Sequence, residues 1–170
     1  MNGNKAAAQA NMASALTIAK KKNTEELIYI SRAYLNSENP EFPKAVENAK
    51  AAVASDAKSA RAYLVLGDAQ YANKNTNDAY VAYRTAYDLD NTLYQAKVQL
   101  AIITRNAQAF PEAMKALKEI TTLSPNFGPA YREMAETNLA WAFGNNSNFK
   151  EKAAAALVDY KKYMSLTDES

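Results

Sequence analysis

A spacing of 34 residues recurs along this chain and restricts its fold more than any other feature. Self-similarity at a fixed period of this length is typical of folds in which one small supersecondary unit stacks on the next. A single unit of this kind cannot bury its own apolar face, so the units must pack in series. Four sets of residues share this spacing, each set occupying one position of the repeat. They are Ala45, Ala79 and Ala113; Gly67, Ala101 and Ala135; Ala52, Ala86 and Ile120; and Tyr63, Lys97 and Tyr131.

Each period contains two amphipathic helical patterns. In the second period, bulky residues recur at three- and four-residue steps between Ala60 and Tyr71, which predicts one apolar stripe on a helix. Turn-forming residues from Asn73 to Asn77 interrupt the pattern, and it resumes between Asp78 and Tyr87. With only 4 glycines and 5 prolines, the Ala-rich composition favours helix throughout.

The repeated residues give a specific family resemblance. In the second period the residues at the signature spacings are Tyr63, Leu66, Gly67, Ala79, Tyr83 and Ala86, and in the third they are Leu100, Ala101, Ala113, Leu117, Ile120 and Pro125. These spacings resemble the tetratricopeptide repeat (TPR), with Lys97 departing from the aromatic residue that the signature prefers. The resemblance implies an all-α fold, a right-handed α-α superhelical solenoid of helix-turn-helix repeats. The alternative is an ordinary helical bundle with accidental periodicity.

The same register predicts the organisation of the chain as a single array over residues 1–170. Residues 5–22 have the pattern of the second helix of a preceding repeat, so we expect a fragment of a longer bacterial array. Four repeats follow at residues 24–59, 60–93, 94–127 and 128–167, the last with an expanded turn. Trp141 and Phe143 lie in that expansion, and we expect them to pack on a helix; an exposed partner site is the alternative.

Residues suited to chemistry are scarce. The chain has no histidine and no cysteine, which removes the commonest general base and the ligands of zinc, haem and iron–sulfur sites. Gly3, Gly67, Gly128 and Gly144 are isolated, so no phosphate-binding loop is present. We therefore predict a non-catalytic protein without metal or cofactor.

The charge balance excludes some partners. With 20 basic and 18 acidic residues, the net charge of +2 gives little attraction to nucleic acid or to anionic membranes. The longest apolar stretches, such as residues 100–103 and 139–143, are far shorter than the roughly 20 residues that cross a bilayer, so we predict no membrane insertion. Localisation stays undetermined, with a lean towards a bacterial protein exported after removal of its signal.

The resemblance implies a binding surface, because the first helices of TPR hairpins line a concave face that holds a peptide or a helix. First-helix residues outside the core stripe are therefore the candidate partner-binding residues. Arginine suits carboxylate capture, so an acidic or amphipathic partner segment is the hypothesis; the alternative is a merely solubilising surface. The candidates are Arg32, Arg61, Leu64, Asp68, Tyr71, Gln95, Val98, Ile102, Arg105, Arg132 and Glu136.

Three functions fit this sequence. The first is a protein-interaction scaffold that binds a partner on its concave face. The second is a regulatory or targeting region of a larger enzyme, or of a secretion or envelope assembly protein. The third is an array that self-associates through its exposed ends.

Overall fold

A computed structural model describes residues 23–144 and 148–167 of the chain. The predicted helix at residues 5–22 lies outside the described residues. Within the described part, all regular structure is helical and no strand is present. The helices are α1 (Thr24–Asn36), α2 (Phe42–Ser55), α3 (Ala60–Ala72), α4 (Thr76–Leu89), α5 (Tyr94–Asn106), α6 (Phe110–Leu123), α7 (Gly128–Gly144) and α8 (Phe149–Thr167).

Local sequence sets several helix starts. The Asn23 side chain accepts a hydrogen bond from the Glu25 amide at 3.0 Å, and Ser59 Oγ accepts one from the Ala62 amide at 3.2 Å. Such caps satisfy amide groups that have no partner within the helix. Pro43 and Pro111 lie in the first turns of α2 and α6, where a missing N–H costs little.

The turns within two hairpins share one backbone feature. Lys74 and Gln108 have positive φ angles of 65° and 63°, and they occupy equivalent positions 34 residues apart. After each of them, an amide closes the preceding helix: Asn75 N–H donates to Gln70 O at 2.9 Å, and Ala109 N–H donates to Thr104 O at 3.1 Å. This left-handed closure is a common helix ending.

The chain divides into two compact units, Met1–Leu93 and Tyr94–Ser170. In unit 1, α3 packs against α1, α2 and α4. Its core contains the fully buried Ile28, Val65 and several alanines, among them Ala45 and Ala52. The division of the chain into repeats within one array stays a prediction.

In unit 2, α7 packs against α5, α6 and α8. Leu117 and Ile120 of α6 are fully buried there. Lys97, the departure from the aromatic signature, reaches Glu119 Oε2 at 2.6 Å, so an ion pair between α5 and α6 occupies this position instead.

The prediction of an expanded turn in the last repeat is wrong. α7 has 17 residues where α3 and α5 have 13, and α8 has 19 where α4 and α6 have 14. The additional residues therefore lengthen both helices. Trp141 stacks on Phe110 with 5.9 Å between ring centroids, as expected for packing, whereas Phe143 is 73% exposed and touches Phe149 edge-on.

Candidate partner-binding surface

The first helices of unit 1 place Asp68 at the centre of a polar cluster. Tyr83 of α4 donates its hydroxyl to Asp68 Oδ1 at 2.9 Å. Burial raises the pKa of the Asp68 carboxyl from 3.8 to about 6, although the Tyr83 hydrogen bond and the positive charge of Arg32 both lower it. Asp68 is therefore a carboxyl group whose charge changes at mildly acidic pH, hydrogen-bonded to a phenol and within the field of a cation.

Gly67 makes this arrangement possible. A Cβ atom at this position would overlap Cδ1 of Tyr83 and lie only 2.5 Å from its Cε1. The Tyr83 ring therefore occupies the space that any other residue at position 67 would fill. The side chain of Tyr83 is 1% exposed, and only its hydroxyl reaches the polar cluster.

Arg61 lies at the start of α3 and pairs with Glu25 of α1 at 2.9 Å. Both side chains are nearly half exposed, so this ion pair adds little stability and leaves the guanidinium accessible. Tyr71, one turn after Asp68, is partly exposed. Unit 1 thus contains four of the predicted binding residues in accessible positions: Arg32, Arg61, Asp68 and Tyr71.

The first helices of unit 2 hold a buried carboxylate between two arginines. Glu133 is 3% exposed, and its Oε2 accepts a bond from Arg105 at 2.8 Å while its Oε1 accepts one from Arg132 at 2.7 Å. A buried charge is tolerated when it is paired and hydrogen-bonded in this way. The bond to Glu133 also raises the pKa of Arg132. Glu133 therefore fixes the directions of two predicted binding residues, one on α5 and one on α7.

Glu136, one turn further along α7, accepts a hydrogen bond from the Tyr160 hydroxyl of α8 at 2.5 Å. This bond raises the pKa of Tyr160 to about 12. The pair repeats the Asp68–Tyr83 pair of unit 1, since Glu136 lies two 34-residue steps after Asp68. In the intervening repeat, Ile102 occupies the position of Asp68 and Leu117 occupies that of Tyr83, so the pair there is apolar.

Two predicted binding residues are not available to a partner. Leu64 is 7% exposed and Val98 is 6% exposed, and Val98 belongs to the core of unit 2. The expectation that their side chains lie on an open surface is wrong. A first helix packs against both its own second helix and a neighbouring hairpin, so its buried arc is wider than one stripe.

The other candidates lie at the surface to different degrees. Gln95, Arg61, Arg132 and Glu136 are exposed. Ile102 packs against the core of unit 2 and is partly buried. We use "first-helix surface" for the candidates of each unit, taken separately, that are at least partly exposed. They are Arg32, Arg61, Asp68 and Tyr71 in unit 1, and Gln95, Ile102, Arg105, Arg132 and Glu136 in unit 2.

Sequence reasoning missed Glu133, although the register contains a signal for it. Its equivalents at 34-residue steps are Ser31, Val65 and Gln99, of which the first two are fully buried. A glutamate in that column must be buried as well, and a buried glutamate requires cationic partners. Arg132 next to it, and Arg105 on the preceding first helix, are available to supply them.

The geometry suits non-covalent recognition. Every buried side-chain nitrogen and oxygen in the described part of the chain has a hydrogen-bond partner. Across residues 23–144 and 148–167, no group of three or more acidic side chains converges as metal ligands would. Over the same ranges no helix has the length and apolarity to cross a bilayer. The first-helix surface offers oriented cations and carboxylates, and one aromatic ring at Tyr71.

Comparison with known proteins identifies the fold. A crystal structure of MamA is 21% identical with a TM-score of 0.72, and the match covers 98% of this chain and 92% of MamA. A crystal structure of PilW, a widely conserved type IV pilus biogenesis factor, is 22% identical with a TM-score of 0.74 and coverage of 94% and 69%. Both contain TPR-type repeats, so the prediction of an all-α TPR-type fold is confirmed.

Neither a protein-family model nor a curated protein sequence matches the chain.

Proposed function

We propose that this chain is a non-catalytic scaffold that binds a peptide or helix of a partner protein on its first-helix surface. The observation that carries the proposal is the fixed orientation of charged groups on that surface. Hydrogen bonds orient each of these groups. Tyr83 bonds to Asp68, and Tyr160 bonds to Glu136. Glu133 bonds to both Arg105 and Arg132.

Oriented groups favour binding because less side-chain freedom is lost when a partner arrives. An ion pair built only for stability does not need to reach the surface, yet Arg132 keeps 55% of its side chain exposed while it contacts Glu133. Arginine in such a position offers its remaining N–H donors to a carboxylate or a carbonyl of the partner. Aromatic Tyr71 adds an apolar contact that loses little entropy on binding.

The test is capture of a partner by the intact chain. Arg32→Ser, Arg61→Ser and Tyr71→Ala are introduced together, since each side chain is at least partly exposed. We expect capture from lysate to fall at least about tenfold, because central arginine and aromatic contacts each contribute more than about 1 kcal/mol to binding. Arg105 and Arg132 are left intact, because the loss of either would leave the buried Glu133 with one partner and confuse binding with stability.

A matched control carries Tyr80→Ala, Arg84→Ser and Lys50→Ser on second helices. These side chains are exposed and are the same residue types apart from one lysine. Capture by the control should equal that of the unchanged chain. Full capture by the first-helix variant, with unchanged circular dichroism, would sink the proposal.

A second candidate is a role in secretion or envelope assembly, favoured by the fold match with a pilus biogenesis factor. A fusion of the natural reading frame to an alkaline phosphatase that is active only outside the cytoplasm distinguishes the two settings. Phosphatase activity supports the envelope role. Its absence, with the fusion intact, contradicts it and leaves the first-helix proposal unaffected. The same reading frame shows whether an enzyme domain adjoins the array.

A further inference from the structure

A cleft of about 730 Å³ opens on unit 2 between α6 and α8, and none of the first-helix candidates lines it. Its floor comes from α7, where Met134, Asn138 and Trp141 follow one another at helical spacing and so share one face. Met114 of α6 joins them. The two methionines are 7–8% exposed, so their accessible atoms face the cleft.

The floor is suited to an apolar side chain. Methionine is flexible and polarizable, and it adapts to irregular apolar partners. Trp141 is held in place by its stacking on Phe110 and by Lys152, whose Nζ lies 4.0 Å from the ring centroid. On the α8 side, Val158 is 66% exposed and lines the same cleft. This apolar wall extends the floor to the surface.

The α6 rim of the cleft is cationic. Lys115 and Lys118 lie one turn apart and are both exposed. Neither has a carboxylate within 4.0 Å among the residues that the structure describes. On the opposite rim, Asp159 is bonded to Asn138 Nδ2 at 3.0 Å, and Glu151 lies 3.3 Å from Lys152. The charges of Lys118 and Lys115 act on Asp159 and Glu119. Neither lysine forms a close ion pair with a described carboxylate, so both ammonium groups can still pair with a carboxylate of a partner.

We propose that this cleft is a second interaction surface, and that it binds an acidic peptide segment of another protein. The segment places an aliphatic or aromatic side chain on the methionine and tryptophan floor and a carboxylate beside Lys115 and Lys118. Charge complementarity on the α6 rim selects the acidic partner and its direction. The proposal rests on the α6–α8 cleft alone and does not depend on the proposed function of the first helices.

The experiment uses the full chain and a library of random displayed peptides. We expect some of the selected peptides to combine an excess of Asp and Glu with a large apolar residue. Labelled copies of these peptides should lose at least about tenfold in affinity for the Lys115→Glu, Lys118→Glu variant by fluorescence polarisation. Their affinity should also fall as salt concentration rises.

Two further variants separate binding from folding. Val158→Glu changes an exposed side chain of the cleft wall and should abolish binding of the same peptides without affecting the core. The matched control, Lys50→Glu with Lys58→Glu, changes the net charge equally on exposed residues of unit 1 and should bind normally. The first-helix variant with Arg32→Ser and Tyr71→Ala should bind these peptides normally as well.

Three results would overturn the proposal. In the first, every selected peptide binds the Lys115→Glu, Lys118→Glu variant and the Val158→Glu variant as tightly as the unchanged chain. In the second, the cleft-dependent peptides show no excess of acidic residues. In the third, light scattering finds a dimer that Val158→Glu dissociates, which would make a second copy of this chain the occupant. A library without any cleft-dependent binder counts against the proposal too.

Discussion

At Gly67 the absence of a side chain allows the Tyr83 ring to lie directly against the backbone of α3. The ring in turn brings its hydroxyl to Asp68, the next residue along the chain. The absence of a Cβ at Gly67 therefore determines how closely α3 and α4 approach each other. It also determines the position of the Asp68 carboxylate on the first-helix surface. This link makes Gly67 a sensitive residue for stability.

Gly67→Ala should lower the free energy of unfolding by about 1–3 kcal/mol, because overpacking of a buried ring outweighs the gain in helix propensity. Urea denaturation followed by circular dichroism measures the change. The control is Gly128→Ala, whose new Cβ would meet Tyr163 Cδ2 at an ordinary 3.5 Å. In a Tyr83→Leu background, which copies the Ala101 and Leu117 combination of the third repeat, Gly67→Ala should cost much less. An equal cost in both backgrounds would contradict the packing argument.

The raised pKa of Asp68 makes the free energy of unfolding depend on pH. Its folded pKa of about 6 lies above the ordinary 3.8, so between these values the folded chain binds more protons than the unfolded chain. The contribution of this group is therefore favourable at low pH and is lost as pH rises through about 6. Asp68→Asn does not titrate and still accepts the Tyr83 hydrogen bond.

We expect Asp68→Asn to stabilise the chain by about 3 kcal/mol at pH 8 and by less than about 1 kcal/mol near pH 4. Denaturation of both proteins at several pH values measures the difference, which isolates this group from other titrations. A difference that stays constant from pH 4 to pH 8 would show that Asp68 is not desolvated in the folded state.

The sequence predicted the all-α TPR-type fold, but it predicted the exposure of individual first-helix residues less well. A single buried stripe per helix predicts Leu64 and Val98 at the open face. In the structure α3 packs on α1, α2 and α4, and α5 packs on α6 and α7, so both side chains are buried. Glu133 was missed because its partner Arg105 lies 28 residues away and no local pattern joins them. Pairings of this kind depend on how the helices stack, and the sequence alone does not give that geometry.

At the scale of the helical elements, the turns of the second and third hairpins are built alike. Lys74 and Gln108 adopt positive φ at the residue where glycine is usually preferred. An L-residue in this conformation is disfavoured by roughly 1–2 kcal/mol, so both turns carry a removable strain. The period predicted that a turn falls here, although neither residue type signals a left-handed conformation.

Lys74→Gly and Gln108→Gly should each raise the free energy of unfolding by about 0.5–1 kcal/mol, because relief of the backbone strain exceeds the added freedom of the unfolded chain. Thermal and urea denaturation measure the effect. Asn73→Gly is the control, since Asn73 has a φ of −79° and gains nothing from glycine. If the three changes had the same effect, the strain would not be located at the positive φ angles.

At the scale of the whole molecule, the two units have separate cores. Fully buried Ile28 and Val65 belong to unit 1, and Leu117 and Ile120 belong to unit 2. In repeat folds each unit contacts only its neighbours, so stability is distributed locally. The 34-residue period predicted this serial character, while the division between Leu93 and Tyr94 carries no signal in the period itself.

We therefore expect Gly67→Ala to accelerate amide hydrogen exchange in α3 and α4 more strongly than in α6. Exchange followed by mass spectrometry on peptic fragments of the unchanged chain and the variant provides the measurement. Gly128→Ala, which lies in unit 2, serves again as the control and should leave exchange in α3 unchanged. A uniform acceleration through all the described helices would indicate one cooperative molecule instead of local stability.

The carboxylate–tyrosine pairs affect which helices pair with each other during folding. Chains of similar hairpins risk kinetic traps in which a helix docks on the wrong counterpart. If α3 docked on α6, Asp68 would face Leu117 in place of Tyr83 and would be buried without a donor. Such an orphaned carboxylate costs at least about 1–3 kcal/mol. The polar pair therefore distinguishes the second hairpin from the third and penalises an exchange of helices between these two.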